Sequence, residues 1–211
     1  MKYQAQAVIA EVTHRCPLHC VYCSNPIEMQ RRSEELSTED WTSIFRQAGE
    51  MGILQLHLTG GEPLARPDLA DLIRAGRSAN LYVNLITSGV GLEEARLEAL
   101  VEAGLDHIQL SFQDVEEGPA NEFAGTRSHA LKLRIAAMIR QRRIAFTINM
   151  VVHRRNLGRL EEMIAFAEQS GAQRMEIANV QYYGWALRNR DALLPTREQL
   201  DRSVEIVDAA R

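Results

Sequence analysis

Cysteine stops early in this chain. Of its 211 residues three are cysteines, Cys16, Cys20 and Cys23, and none follows. An odd set inside one short loop makes a poor disulfide framework, so a reducing, cytoplasmic setting is expected. A chain this long buries about 70% of its unfolded surface and needs no such staple. Charge of one sign is also missing. The 24 basic and 28 acidic residues leave a net charge of −4, which excludes the basic stripe of a general nucleic-acid binder. Lysine is nearly absent: among the basic residues only Lys2 and Lys132 are lysines. We read that as compositional bias, not as function. No run approaches the ~18 apolar residues that span a bilayer. The opening Met1-Lys2-Tyr3-Gln4 leads into an apolar stretch broken at Glu11, too short and too polar for a secretory leader. No membrane and no nucleic acid are therefore expected as partners. Linkers, low-complexity segments and heptads are lacking too, and the length fits one domain, 1–211.

What is present is alternation. Apolar runs predict strands at 7–12, 54–59, 81–87, 106–112, 144–152 and 173–178. Helices fall between them. The first is capped by Ser37 with Asp40 three residues on, and stops near Gly52. Others are expected at 66–79, 92–103, 128–142, 157–169 and from 196 to the end. The helix at 128–142 is basic and amphipathic, which is read as a solvated face. Six strand–helix units imply an α/β fold with a parallel sheet. A doubly wound sheet and a (β/α) barrel both fit, although six units are fewer than the usual eight.

Polar residues and glycines gather just after the strands. Thr59-Gly60-Gly61-Glu62-Pro63 follows the second and Thr87-Ser88-Gly89 the third. Ser111-Phe112-Gln113-Asp114 closes the fourth, Asn149 and His153 flank the end of the fifth, and Asn179 follows the sixth. The C-terminal strand ends of parallel α/β folds share the face where ligands bind.

The loop after the first strand reads Cys16-Pro17-Leu18-His19-Cys20-Val21-Tyr22-Cys23. Three bare thiolates this close repel one another, and soft thiolates select zinc, copper(I) or iron–sulfur clusters. A four-iron cluster normally takes four cysteines, so three leave one iron without a protein ligand. A structural Cys3His zinc site, with His14 or His19 as the fourth ligand, is the alternative. At Gly60-Gly61-Glu62 two glycines let a ligand approach the backbone, and the acid beside them can pair with an ammonium group. G-x-G-x-x-G and G-K-[ST] are both absent, so this is neither a dinucleotide fingerprint nor a phosphate loop.

Together the C-x3-C-x2-C loop, with Tyr22 as its aromatic residue, and Gly60-Gly61-Glu62 resemble the radical S-adenosylmethionine (SAM) superfamily. The resemblance implies a partial (β/α)6 TIM-like barrel over nearly the whole chain. It implies a [4Fe–4S] cluster on Cys16, Cys20 and Cys23, with the free iron chelated by SAM. Gly60, Gly61 and Glu62 would face the SAM amino group and Tyr22 the adenine. Ser88, Ser111, Gln113 and Asn149 would touch ribose or carboxylate. Arg127 is either a partner of that carboxylate or a surface residue at a helix start.

The resemblance narrows on three stretches: the first loop from Glu11 to Leu18 with Tyr22-Cys23-Ser24-Asn25-Pro26, then Gln109 to Asp114, then Asn179 to Leu187. These are similar to the enzymes of pyrroloquinoline quinone (PQQ) biosynthesis. That likeness implies cross-linking of glutamate and tyrosine side chains in a precursor peptide, with a small peptide-binding chaperone and a one-electron reductant as partners. Those enzymes carry a cysteine-rich C-terminal part for auxiliary clusters. Its absence here implies the radical SAM core alone. Other radical SAM peptide modification, a non-catalytic zinc or iron–sulfur module, and a barrel that binds a partner without chemistry are the competing readings.

Overall fold

The computed structural model describes residues 5–210. Met1-Lys2-Tyr3-Gln4, and Arg211 at the end of the expected closing helix, lie outside the described residues. Six strands form one sheet: β1 (Ala7–Thr13), β2 (Gln55–Gly60), β3 (Tyr82–Thr87), β4 (His107–Phe112), β5 (Ala145–Val152) and β6 (Arg174–Asn179). Every pairing is parallel, and the spatial order β1-β2-β3-β4-β5-β6 follows the sequence. Crossovers of one hand between successive neighbours place the helices on one face. A doubly wound sheet would reverse its order in the middle. The order therefore selects the barrel-like architecture, open between β1 and β6.

The helices are α1 (Thr38–Glu50), α2 (Leu69–Ser78), α3 (Glu94–Glu102), α4 (Glu117–Ala124), α5 (His129–Gln141), α6 (Leu160–Ser170), α7 (Gly184–Arg188), α8 (Arg190–Leu193) and α9 (Arg197–Ala209). At α1 the Ser37 hydroxyl accepts from the Asp40 amide and the Ser37 amide donates to the Asp40 carboxylate, each at 3.1 Å. That is the reciprocal cap read from the sequence. The helix expected at 66–79 starts later, at Leu69. A single turn at Pro63–Ala65 comes first, and the Arg66 guanidinium holds the Val12 and Leu36 carbonyls and the Asp68 carboxylate. The helix expected at 157–169 likewise opens as a tight turn at Leu157–Arg159. α4, α7 and α8 were not anticipated: at eight, five and four residues they are too short for a periodicity to stand out.

Alternation along each strand separates two chemistries. One face is apolar and lies under the helices. Leu56, Leu58, Val83, Leu85, Ile108, Leu110, Phe146 and Ile148 pack there in one cluster with Leu72, Leu97, Ile135 and Met163 of the helices. The intervening residues form the concave face, and its middle is polar. Asn84 bridges His57 (2.9 Å) and His107 (2.8 Å), and His107 meets the Thr147 hydroxyl at 3.2 Å. Burial holds both imidazoles below their ordinary range, so this floor is neutral at pH 7. Next along the same strand faces, towards the C-terminal ends, come Thr59, Ile86 and Gln109, and beyond Gln109 the paired Ser111 and Asn149.

Candidate active site

The cysteine loop leaves β1 and is fixed from two sides. The His19 and Val21 amides donate to the Ala124 (2.8 Å) and Phe123 (3.1 Å) carbonyls at the end of α4. From the other side the Ala186 amide donates to the Cys23 carbonyl at 2.9 Å, and the Asn189 amide group to the Val21 carbonyl at 2.8 Å. Gly184 passes so close that a Cβ there would lie 1.9 Å from the Asn25 carbonyl oxygen. The stretch Asn179 to Leu187, singled out by its sequence, thus backs the cysteine loop.

All three thiols are free and half-buried. Burial raises the Cys16 thiol and pushes Cys20 up to about 12, and the neighbouring cysteines add to both. Such a set becomes thiolate only when a cation or cluster compensates it. This donor set fits a thiolate-ligated iron–sulfur cluster. Among the described residues no three His, Cys, Asp or Glu side chains stand ready to hold a single metal ion. Of the two histidines weighed as a fourth ligand, His14 accepts the Gln30 amide on Nδ1 at 2.9 Å. His19 is exposed.

The glycine turn lies against the start of the loop. The Gly61 amide donates to the Thr13 carbonyl (2.6 Å) and the Glu62 amide to the Arg15 carbonyl (2.7 Å). The Asn25 side chain reaches the Gly60 carbonyl at 3.3 Å. Gly60 has φ +131°, outside the range of L side chains.

Glu62 departs from expectation. Its carboxylate does not face the cavity: it is 1% exposed and accepts from the Leu64 amide, the Thr87 hydroxyl (2.6 Å), and the Ser88 amide (2.8 Å) and hydroxyl (2.5 Å). Four donors from two loops turn it inward, where it ties the glycine turn to the end of β3. It has no free oxygen for an ammonium group. Glu62→Ala should destabilise the fold by about 3 kcal/mol, because buried donors lose a charged acceptor. Urea denaturation measures this, and a loss under about 1 kcal/mol would contradict the assignment.

The other expected residues share one cavity of about 1010 Å³ at the C-terminal strand ends. Cys16, Cys20, Tyr22 and Cys23 line one side and Gly60, Gly61 and Ser88 the next. Ser111 of β4, Gln113 just after that strand and Asn149 of β5 also line it. Its volume is at the upper end for small-molecule sites, with room for a nucleoside-sized ligand and a second group. The Asn149 side chain donates to Glu176 at 3.0 Å, as does Gln109. Arg127 is exposed and lines no part of this cavity, which leaves it the surface role.

Behind Tyr22 stands His153, fully buried, its ring 5.7 Å from Tyr22 and 4.6 Å from Phe123. Burial, with Arg155 nearby, lowers its pKa to about 4. The sign follows from linkage. Between about 6.5 and 4 the unfolded chain binds a proton that the folded one refuses, so stability falls as pH drops through that window. Comparing urea midpoints at pH 7 and 5 should show a drop that His153→Gln lacks. An identical drop in both proteins would rule out His153 as its source.

A barrel-like parallel sheet that brings a three-cysteine loop after β1 and a glycine turn after β2 to one cavity is the architecture of the radical SAM class. The chain belongs to the Radical SAM superfamily, whose family pattern it matches over residues 10–167. It is 55% identical over 206 residues to a PqqA peptide cyclase of Gluconobacter oxydans, covering 97% of this chain and 58% of that protein. To a PqqA peptide cyclase of Rhizobium meliloti it is 51% identical, covering 97% and 55%. The chain thus spans a little over half the length of these relatives. Among solved structures it is similar in fold to SuiB of Streptococcus suis bound to S-adenosylmethionine. That match has TM-score 0.81 and 21% identity, covering 97% of this chain and 47% of SuiB.

Sequence reasoning passed over Asn25, Asn189 and the end of α4 as supports of the cysteine loop. Their contacts cross up to 168 positions of sequence, and no local pattern marks them. It also read the face of α5 as solvated, whereas Lys132 on that helix is fully buried.

Proposed function

We propose that this chain is the SAM-cleaving core of a peptide-modifying enzyme of PQQ biosynthesis, which joins a glutamate and a tyrosine side chain of a precursor peptide. The observation that carries the reading is the shared cavity of Cys16, Cys20, Cys23 and the Gly60-Gly61 turn. The identity to PqqA peptide cyclases supports the substrate class.

In this reading Cys16, Cys20 and Cys23 hold a [4Fe–4S] cluster and leave one iron for the carboxylate and amino groups of SAM. When bound, cluster and SAM supply a one-electron reductive cleavage that yields a hydrogen-abstracting 5′-deoxyadenosyl radical. The chain positions and shields. The backbone of Gly60 and Gly61 takes the SAM amino group, a task the inward-turned Glu62 leaves to them. Tyr22 packs against adenine, with the His153 ring holding it from behind. Ser111, Gln113 and Asn149 take ribose and carboxylate, whereas Ser88, whose amide and hydroxyl both donate to Glu62, offers the ligand only a hydroxyl lone pair. The neutral His57–Asn84–His107–Thr147 floor closes the concave face below the site. A precursor peptide enters from above, presented by a small peptide-binding chaperone, and a one-electron reductant supplies the electron. The reducing interior of the cytoplasm suits this chemistry.

The test is anaerobic reconstitution followed by iron and sulfide analysis and an assay for 5′-deoxyadenosine. Four irons per chain and reductant-dependent 5′-deoxyadenosine are expected. With precursor peptide and chaperone present, the peptide should lose two hydrogens in mass. One equivalent of zinc with no iron would overturn the reading.

A further inference from the structure

We propose that Lys132 is the buried counter-charge of the cluster held by Cys16, Cys20 and Cys23, and that it raises that cluster's reduction potential. The inference rests on the cluster reading given above. Lys132 is the only lysine among the described residues and is 0% exposed. Its ammonium donates to the Ser111 carbonyl at 2.9 Å and to the Gln113 side-chain carbonyl at 2.8 Å. Both acceptors are neutral. Both belong to the strand end that lines the cavity with the three cysteines. Among the described residues no carboxylate lies within ion-pair distance of it.

A buried ammonium without a partner is strongly disfavoured, and fully buried lysines are nearly always paired. The groups able to carry negative charge that face Lys132 are Cys20, Glu62 and Cys16; they oppose the lowering that burial imposes, and the pKa of Lys132 is left at about 8. Glu62 is already bonded to four donors. The compensation left to Lys132 is therefore the charge of the thiolates and of what they bind. One-electron reduction adds a negative charge there. A fixed cation behind the site stabilises the reduced state more than the oxidised one, and net charge near a cluster sets its potential.

The test is an electron-paramagnetic-resonance redox titration of the reconstituted chain, without SAM or peptide. Lys132→Gln and Lys132→Met remove the charge, and Gln113→Glu neutralises it in place by setting a carboxylate beside the ammonium. At a fixed potential each should lower the reduced-to-oxidised ratio about tenfold, a shift of about 59 mV for a one-electron couple. A ratio unchanged in Gln113→Glu and in whichever lysine variant folds would overturn the proposal. So would folded lysine variants that no longer load iron, because the charge would then serve assembly and not potential. Absence of a cluster in the unaltered chain would instead reject the function on which the inference rests.

Discussion

Cys16→Ala should abolish both iron loading and 5′-deoxyadenosine formation. The argument starts from the donor count. The chain has three cysteines and no fourth, so each thiolate removed leaves a four-iron cluster held at two corners. Among the described residues no group of three or more His, Cys, Asp or Glu side chains is placed to hold a metal in its stead. The nearest histidine in sequence, His14, accepts the Gln30 amide on Nδ1. The fold should survive, because Cys16 is only half-buried and its loop is held by backbone bonds to α4 and to Ala186, which alanine retains. The measurements are iron per chain, the 5′-deoxyadenosine yield under dithionite without oxygen, and circular dichroism as the check on folding. A folded Cys16→Ala protein that still makes 5′-deoxyadenosine would end the assignment. His14→Ala serves as the contrast, with its iron content expected unchanged.

Much of the fold was legible because it rests on local signals. The apolar runs at 54–59 and 81–87 marked strands, and the structure buries Leu56, Leu58, Val83 and Leu85 of them under the helices. Ser37 and Asp40 announced a helix start that the structure confirms. Alternation alone did not choose between barrel and doubly wound sheet, since strand order depends on which neighbours pair; the resemblance to the radical SAM superfamily implied the partial barrel, and the strand order agrees. The cysteine loop and the glycine turn were visible as short motifs. That Glu62 turns away from the ligand face was not. Its direction is set by Thr87 and Ser88, 25 and 26 positions later, and a motif read by itself carries no information about such donors. Lys132 shows the same limit from the other side. Its helix has arginines that face water, and only the packed structure reveals that its ammonium ends beneath the strand end of β4.

Gly61→Ala should cost the protein at least about a hundredfold in SAM affinity, whereas Gly118→Ala should cost nothing. An alanine Cβ at position 61 would lie 2.4 Å from the Arg15 carbonyl oxygen and 2.6 Å from that of His14. Both are backbone atoms on the segment that delivers Cys16, so no side-chain rotation relieves the clash. Either the glycine turn recedes or the start of the cysteine loop moves. The first displaces the groups proposed to take the SAM amino group. The second displaces the first cluster ligand. A shift of about 1 Å in a positioning element is enough for a loss of this order. Gly60 repeats the pattern, since its Cβ would lie 2.3 Å from the Thr13 oxygen at a φ of +131°. Gly118 sits in α4 with nothing within 4 Å of its Cβ, and alanine there gains helix propensity of about 1 kcal/mol. Equilibrium dialysis with labelled SAM, beside an iron assay of the same samples, separates the two routes. Normal iron with weak SAM binding locates the damage in the turn, and low iron locates it in the loop. Unchanged SAM affinity and iron content in Gly61→Ala would show that the turn does not form the site.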